Sequence, residues 1–156
     1  MAKATSKKIS TTPVMVKHLT QALSDVYILA IKAHVYHWNV GGPQFASVHA
    51  FFETQYKGMP DVADEIAERI RMLGPLVDGG MAKFLEHTAI KEASTKPMQA
   101  KAMLKDYMDG LGKLRARLTA VEEYADEIDD LVTQDLMVKI IGDLEKTIWM
   151  LKSQLA

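Results

Sequence analysis

The chain has 156 residues, 48% of them hydrophobic, and its 19 basic and 20 acidic side chains leave a formal net charge of −1. That length and apolar content fit one domain with its own core and exclude a disordered chain, while the even charge balance gives no global pull towards nucleic acid or membrane. Cysteine is absent, which excludes disulfides, thiolate catalysis and iron–sulfur or zinc-finger ligation and leaves any metal chemistry to histidine and carboxylate.

Residues 1–12 read as a flexible tail in which Lys3, Lys7 and Lys8, with no acidic residue before Asp25, form a short cationic segment. No apolar stretch of signal-peptide length follows it and no run of about 18 apolar residues occurs anywhere, so the sequence predicts a soluble, cytoplasmic protein with no membrane partner. Thr12 and Pro13 predict a helix N-cap and first helical residue, because proline lacks an N–H that would go unsatisfied there. The helix runs towards Trp38, with Leu19, Leu23, Val26, Ala30, Ala33 and His37 on one face. After Gly41-Gly42-Pro43 a second helix is predicted up to Leu73-Gly74-Pro75, where glycine accepts a left-handed cap and proline cannot extend the helix. Pro60 deletes the hydrogen bond to the Tyr56 carbonyl and predicts a bend, with a break at Gly58 to Pro60 as the alternative.

Pro75 to Ser94 is too long for an ordinary helix–helix turn. Within it Met81 to His87, with Met81, Phe84 and Leu85, predicts a short helix. Thr95-Lys96-Pro97 predicts the start of a third long helix ending near Tyr124, and the acidic cluster Asp126 to Asp130 predicts the start of a fourth reaching about Gln154, negative charge being favourable at a helix start. Gly110, Gly112 and Gly142 inside helices cost about 1 kcal/mol each relative to alanine, which predicts close backbone packing. Four long helices with one long central crossover predict an all-α, ferritin-like four-helix bundle over residues 13–156.

The chemistry-bearing residues are His37, His49, Glu53, Asp64 and Glu68. A helix, a tight turn and a second helix place both imidazoles near one end, and Glu53 follows His49 by one turn on the same face. Asp64 and Glu68 form another i, i+4 pair, but Asp64 lies 15 residues beyond His49, roughly 22 Å along a helix. Metal bonds to these ligands are about 2.0–2.2 Å, so one ion cannot take all of them from one helix. Two antiparallel copies of that helix around a two-fold axis bring the histidine end of one to the carboxylate end of the other, twice. The intrasubunit di-iron pattern Glu-x-x-His is absent, since Met15, Ile31, His34, Ala46 and Phe84 precede the five histidines by three residues. The His-Glu-x-x-His, Gly-x-Ser-x-Gly, P-loop and Gly-x-Gly-x-x-Gly signatures are absent too. The ligand set by itself suits iron, manganese or zinc. His18, His34 and His87 read as ordinary packed histidines, with His34 close enough to His37 to support it. Trp38 is either core packing or a quencher of stray oxidising equivalents.

The run His37-Trp38-Asn39-Val40, then Gly42-Pro43-Gln44-Phe45, His49 with Glu53, Asp64-Glu65-Ile66-Ala67-Glu68-Arg69-Ile70 and Leu73-Gly74 resembles the Dps family, DNA-binding proteins from starved cells and bacterial mini-ferritins, across nearly the whole chain. The resemblance implies a hollow homo-dodecamer that oxidises ferrous iron, preferably with hydrogen peroxide, at sites on its two-fold axes and stores ferric mineral, protecting DNA from oxidative damage. Carried over by position, His37, His49 and Glu53 come from one subunit and Asp64 and Glu68 of the partner subunit complete the site. The crossover helix is expected at the dimer interface. Asp130 and Asp135 resemble aspartates of three-fold pores that admit ferrous iron. The alternative function is DNA compaction as a nucleoid structural protein through Lys3, Lys7 and Lys8, whose charges would act together on a symmetric shell.

Overall fold

Apolar residues recur every three or four positions along four long stretches, and each stripe can be hidden only against another. In the computed structural model, which describes residues 13–156, they do so as α1 (Pro13–Asn39), α2 (Phe45–Met72), α4 (Ala100–Glu127) and α5 (Leu131–Leu155), with the short α3 (Met81–His87) between α2 and α4. Thr12 and the lysine tail lie outside the described residues. The shared core takes Leu19, Leu23, Val26 and Ala33 from α1, Phe52, Ile66 and Ile70 from α2, Tyr107, Leu111, Leu114 and Leu118 from α4, and Met137 and Ile140 from α5. Burying a leucine, isoleucine or phenylalanine side chain stabilises by about 1.5–3 kcal/mol, so the stripe, more than helix propensity, holds each element.

Side-chain pairs give the topology. Lys32 reaches Asp106 while Arg117 reaches Gln21 and Asp25, so α1 and α4 are antiparallel. Arg69 meets Asp130 and Lys139 meets Glu65, so α2 and α5 are antiparallel as well. The short turns at 40–44 and 128–130 reverse the chain within each sequential pair. Therefore α2 and α4 point the same way, and residues 73–99 must travel the length of the bundle. Three anchors pin this crossover. Phe84 of α3 stacks on Tyr27 at a centroid distance of 4.4 Å. The fully buried Asp25 carboxylate accepts from Thr88 Oγ1 at 2.6 Å and Ala89 N at 2.8 Å, and it also pairs with Arg117. The Tyr36 hydroxyl contacts Met98 Sδ at 3.7 Å.

The all-α bundle, the long crossover and the short helix at Met81–His87 match the sequence reading, and several details differ. The predicted start of the third long helix moves from Thr95–Pro97 to Ala100, because Gln99 is extended (φ −71°, ψ 147°) and the chain there swings Met98 towards Tyr36. Asp126 and Glu127 do not open the last helix. They complete the final turn of α4, at its carbonyl end, Asp129 takes a positive φ of 58°, and Asp130 is the N-cap of α5. Pro60 does not break α2, which is continuous from Phe45 to Met72. Proline's ring side is exposed, on a face where water can serve the Tyr56 carbonyl that loses its donor. At the other end Gly74 has φ +115° and terminates the helix as expected.

Helix α1 is long and apolar enough to meet a membrane-span criterion, with a mean hydropathy of 1.2 over its best window, but 56% of that window is buried in the bundle. It also carries the buried, paired Asp25 and Lys32, so its apolar stripe is explained by the core.

Close packing explains only one of the helical glycines. A Cβ on Gly110 would lie 2.8 Å from Leu29 Cδ2, whereas at Gly112 and Gly142 it would meet nothing within 4 Å. Gly110→Ala should therefore destabilise the fold by about 1–3 kcal/mol through overpacking, and Gly112→Ala should stabilise it by up to about 1 kcal/mol through helix propensity. Opposite shifts of the urea midpoint are the expected result.

The Arg69–Asp130 pair gives a second expectation. Both side chains are almost fully buried, and Asp130 takes hydrogen bonds from Arg69 Nη2 at 2.7 Å, Thr133 N at 3.1 Å and Thr133 Oγ1 at 2.6 Å. Burial by itself pushes the Asp130 carboxyl up, but the bonds from Thr133 and Arg69 outweigh it and hold the group below the ordinary carboxylate range. Its stabilisation is thus complete above the unfolded value of about 3.9 and is lost as pH falls through the lower folded value. Asp130→Asn should cost about 3–5 kcal/mol at neutral pH by leaving Arg69 buried and uncompensated. The gap from the parent chain should narrow in urea titrations run at about pH 3.

Candidate metal centre

His37 sits in the last turn of α1 and His49 near the start of α2. Between them the chain reverses in five residues: Val40 N donates to Tyr36 O at 2.9 Å, Phe45 N donates to Gly42 O at 3.0 Å, and Gly42 takes φ +93°, a backbone state that glycine enters without steric cost. The reversal brings the two imidazoles into a stack, with ring centroids 3.7 Å apart and planes at 25°. Each ring bonds to the other residue's backbone: His37 Nδ1 lies 3.0 Å from His49 O, and His49 Nδ1 lies 2.9 Å from His37 O. A carbonyl oxygen only accepts, so both Nδ1 atoms carry hydrogen and donate. In the neutral rings the lone pair then belongs to Nε2, the tautomer that a metal-binding imidazole needs, with its orientation fixed by the bond at the other nitrogen.

Glu53 is one turn further along α2, and its carboxylate is held by Lys57. The Lys57 hydrogen bond, then its charge, and to a lesser extent the charges of His37 and His49 keep the Glu53 carboxyl below its ordinary range. Asp64 and Glu68 lie exposed on α2 and make no hydrogen bond or ion pair with the described residues, while the intervening Glu65 is occupied by Lys139 at 2.7 Å. Among the described residues no three His, Asp or Glu side chains of one chain gather into a metal-sized group. One chain therefore carries a histidine end at the α1–α2 reversal and a carboxylate end further along the continuous α2.

The ferritin-like domain family matches residues 16–156. DNA protection during starvation protein 2 of Bacillus anthracis is 36% identical over 142 residues, 89% of this chain and 94% of its own length. The crystal structure of a Dps protein from Bacillus brevis superposes with a TM-score of 0.90 at 32% identity, covering 96% of this chain and 99% of that one. The chain belongs to the Dps family of ferritin-like proteins. A Dps protein from Vibrio cholerae, described as a member of a broad superfamily of ferritin-like diiron-carboxylate proteins, has a TM-score of 0.89 at 29% identity, covering 94% of this chain and 91% of that one.

The remaining sequence candidates of this Dps-family chain fall in different environments. Asp135 is exposed near the start of α5, but Asp130 is 5% exposed and spends both oxygens on Arg69 and Thr133. Within one chain Asp130 serves as the α5 cap and as a buried ion-pair partner. Trp38 is 64% exposed, so core packing within the chain does not account for it. Lys3, Lys7 and Lys8 lie outside the described residues. A groove of about 1120 Å³ runs beside α4 and α5, lined by Lys32, Asp106, Arg115 and Trp149 and by none of the candidate ligands. The histidine end thus lies outside it, as suits an ion more than an organic ligand.

Sequence reasoning left the role of His34 beside His37 open and missed Tyr56 and Lys57. Tyr56 packs its ring edge against His37 at 5.1 Å, His34 stacks flat on Tyr56 at 3.9 Å, and Lys57 occupies Glu53. The signal was present: Glu53, Tyr56 and Lys57 follow His49 at offsets that keep them on its side of α2. Lys57 competes with any cation for Glu53, so Lys57→Met should tighten anaerobic Fe(II) binding. The gain should be a modest, few-fold fall in Kd because the pair is exposed, and a titration read by calorimetry checks it.

Proposed function

We propose that this protein oxidises ferrous iron at sites shared between two copies of the chain, preferably with hydrogen peroxide, and stores the ferric product inside a hollow homo-dodecamer in the cytoplasm, so protecting DNA from oxidative damage. The observation that carries this reading is the pair of mutually anchored imidazoles at His37 and His49, whose Nε2 atoms are both left to bind a metal ion. Glu53 adds an oxygen ligand beside them. Asp64 and Glu68, exposed on α2 and unpaired among the described residues, are the complement: antiparallel pairing of two α2 helices about a two-fold axis carries Asp64 and Glu68 of the partner subunit to His37, His49 and Glu53, and the reverse at the second site. The exposed crossover residues Met81 and Leu85 belong to that interface. Names of relatives that refer to DNA protection, and the diiron-carboxylate description of the Vibrio cholerae protein, support the reading.

Iron is the substrate here. Two ferrous ions give up one electron each, and one peroxide with two protons becomes two waters, so no hydroxyl radical is released. Few protein ligands per ion leave positions open for the oxidant, and carboxylates from the partner stabilise the growing positive charge as each ion is oxidised. Asp130 and the exposed Asp135 are the candidates for guiding ferrous iron inward.

The double variant His37→Leu/His49→Leu should lose rapid Fe(II) oxidation, followed by absorbance of the ferric product, while still eluting at the dodecamer mass of about 209 kDa expected for 17.4 kDa chains. Parent protein should consume one peroxide per two ferrous ions. Unchanged oxidation in the double variant, or elution of the parent as a lone chain, sinks the proposal.

A further inference from the structure

A pocket of about 350 Å³ lies between the first half of α1, the end of the crossover and the middle of α4. That volume is within the range of about 300–1,000 Å³ typical of small-molecule sites. His18, which lines it, precedes His37 by 19 residues on the same helix, roughly 28 Å, so the pocket is separate from the metal centre. Its polar lining is His18 and Gln21, three residues apart on α1, with Lys113 and Arg117, four apart on α4. Each spacing keeps its pair on one helix face. No carboxylate lines the pocket among the described residues, whereas Asp106, Asp109 and Glu145 line the larger groove beside α4 and α5.

What the four side chains turn towards a ligand is hydrogen-bond donors. Arg117 Nε donates to the fully buried Asp25 carboxylate, and Arg117 Nη1 donates to Gln21 Oε1 at 2.9 Å. These bonds fix the guanidinium plane and leave both Nη2 hydrogens without a partner among the described residues. Gln21 spends its oxygen on Arg117, so its amide hydrogens are what remains to be given. Lys113 is exposed and makes no hydrogen bond or salt bridge with the described residues. His18 Nδ1 is sealed without a partner. An N–H sealed there would be costly, so the neutral ring keeps its hydrogen on Nε2. Asp25 does not compete for a ligand, because its oxygens are taken by Arg117, Thr88 and Ala89 N.

We propose that this pocket binds a phosphate oxyanion, either inorganic phosphate or the end group of a phosphomonoester. A cation would find no acceptor here. A carboxylate has two oxygens and would leave donors unpaired, whereas a phosphate brings more oxygens and more charge to an arginine whose ordering the fold has already met. The methyls of Ala89, Ala116 and Ala120 line the remainder, which leaves room for a short organic part beside the phosphate.

The test is isothermal titration calorimetry of the assembled, iron-free protein at an ionic strength held constant with chloride, using inorganic phosphate and glycerol 3-phosphate as probes. Saturable binding of at least one probe is expected, near one per chain. Gln21→Glu keeps an acceptor for Arg117 but adds a negative charge, and it should weaken binding by about tenfold or more through like-charge repulsion. Lys113→Gln, at an exposed position, should weaken it several-fold, and Lys91→Gln, outside the pocket, should leave it unchanged. Tighter binding of the ester assigns the site to phosphomonoesters, and equal or tighter binding of free phosphate assigns it to the inorganic anion. No saturable binding of either probe, or affinities that neither Gln21→Glu nor Lys113→Gln alters, overturns the site.

Discussion

Everything at the histidine end depends on two hydrogen bonds that cross the α1–α2 reversal in opposite directions. Each imidazole donates to the backbone carbonyl of the residue carrying the other, so neither ring can turn without breaking a bond of its own and neither can shed its Nδ1 hydrogen without losing its acceptor. The bond from His49 Nδ1 also satisfies the His37 carbonyl, one of the last four of α1, which have no partner within the helix. Ring orientation, tautomer and the relative placement of two helices are settled by one motif. A change in the turn that moved His49 by a residue would lose all three at once.

Around that motif the bundle is tied by charges as well as by apolar stripes. Lys32, only 2% exposed, donates to Asp106 at 2.6 Å, and the Tyr36 hydroxyl donates to the same oxygen at 2.6 Å. Burial alone pushes the Asp106 carboxyl up, yet the bonds from Lys32 and Tyr36 keep it below the ordinary range. Tyr36 directly precedes His37, so this bond to α4 steadies the turn of α1 that carries that histidine. The Asp25–Arg117 and Arg69–Asp130 pairs do the same for the crossover and for the start of α5. Such pairs add little net stability compared with well-packed apolar groups, but losing one partner is costly, so they disfavour other packings of the same helices.

Much of this was legible in the sequence because it rests on local rules. The stripe from Leu19 to His37, the Gly74 stop and the Met81–His87 helix follow from periodicity and from residue types with one conformational use. The meeting of His37 and His49 follows from a short turn between two helices. What escaped depends on tertiary partners. The family resemblance singles out Asp130 with Asp135, and only Arg69, 61 positions earlier, shows it to be a buried cap. The α4 start slipped because Met98 is drawn to Tyr36, a contact 62 positions distant. Gly110 and Gly112 look alike in sequence, and only the position of Leu29 separates them. His34 reads as a support of His37, and its stack on Tyr56, 22 positions on, shows only in the structure.

The continuity of α2 through Pro60 makes that helix a ruler. In the proposed assembly its two ends serve different metal sites, and the stretch from His49 to Asp64 sets both the distance and the angle at which one copy would serve the other. Inserting a single residue there would lengthen the span by about 1.5 Å and rotate the carboxylates by about 100°, spoiling both sites of a pair together. Point changes in that stretch are open to natural drift so long as the helix stays continuous, whereas its length is closed to it.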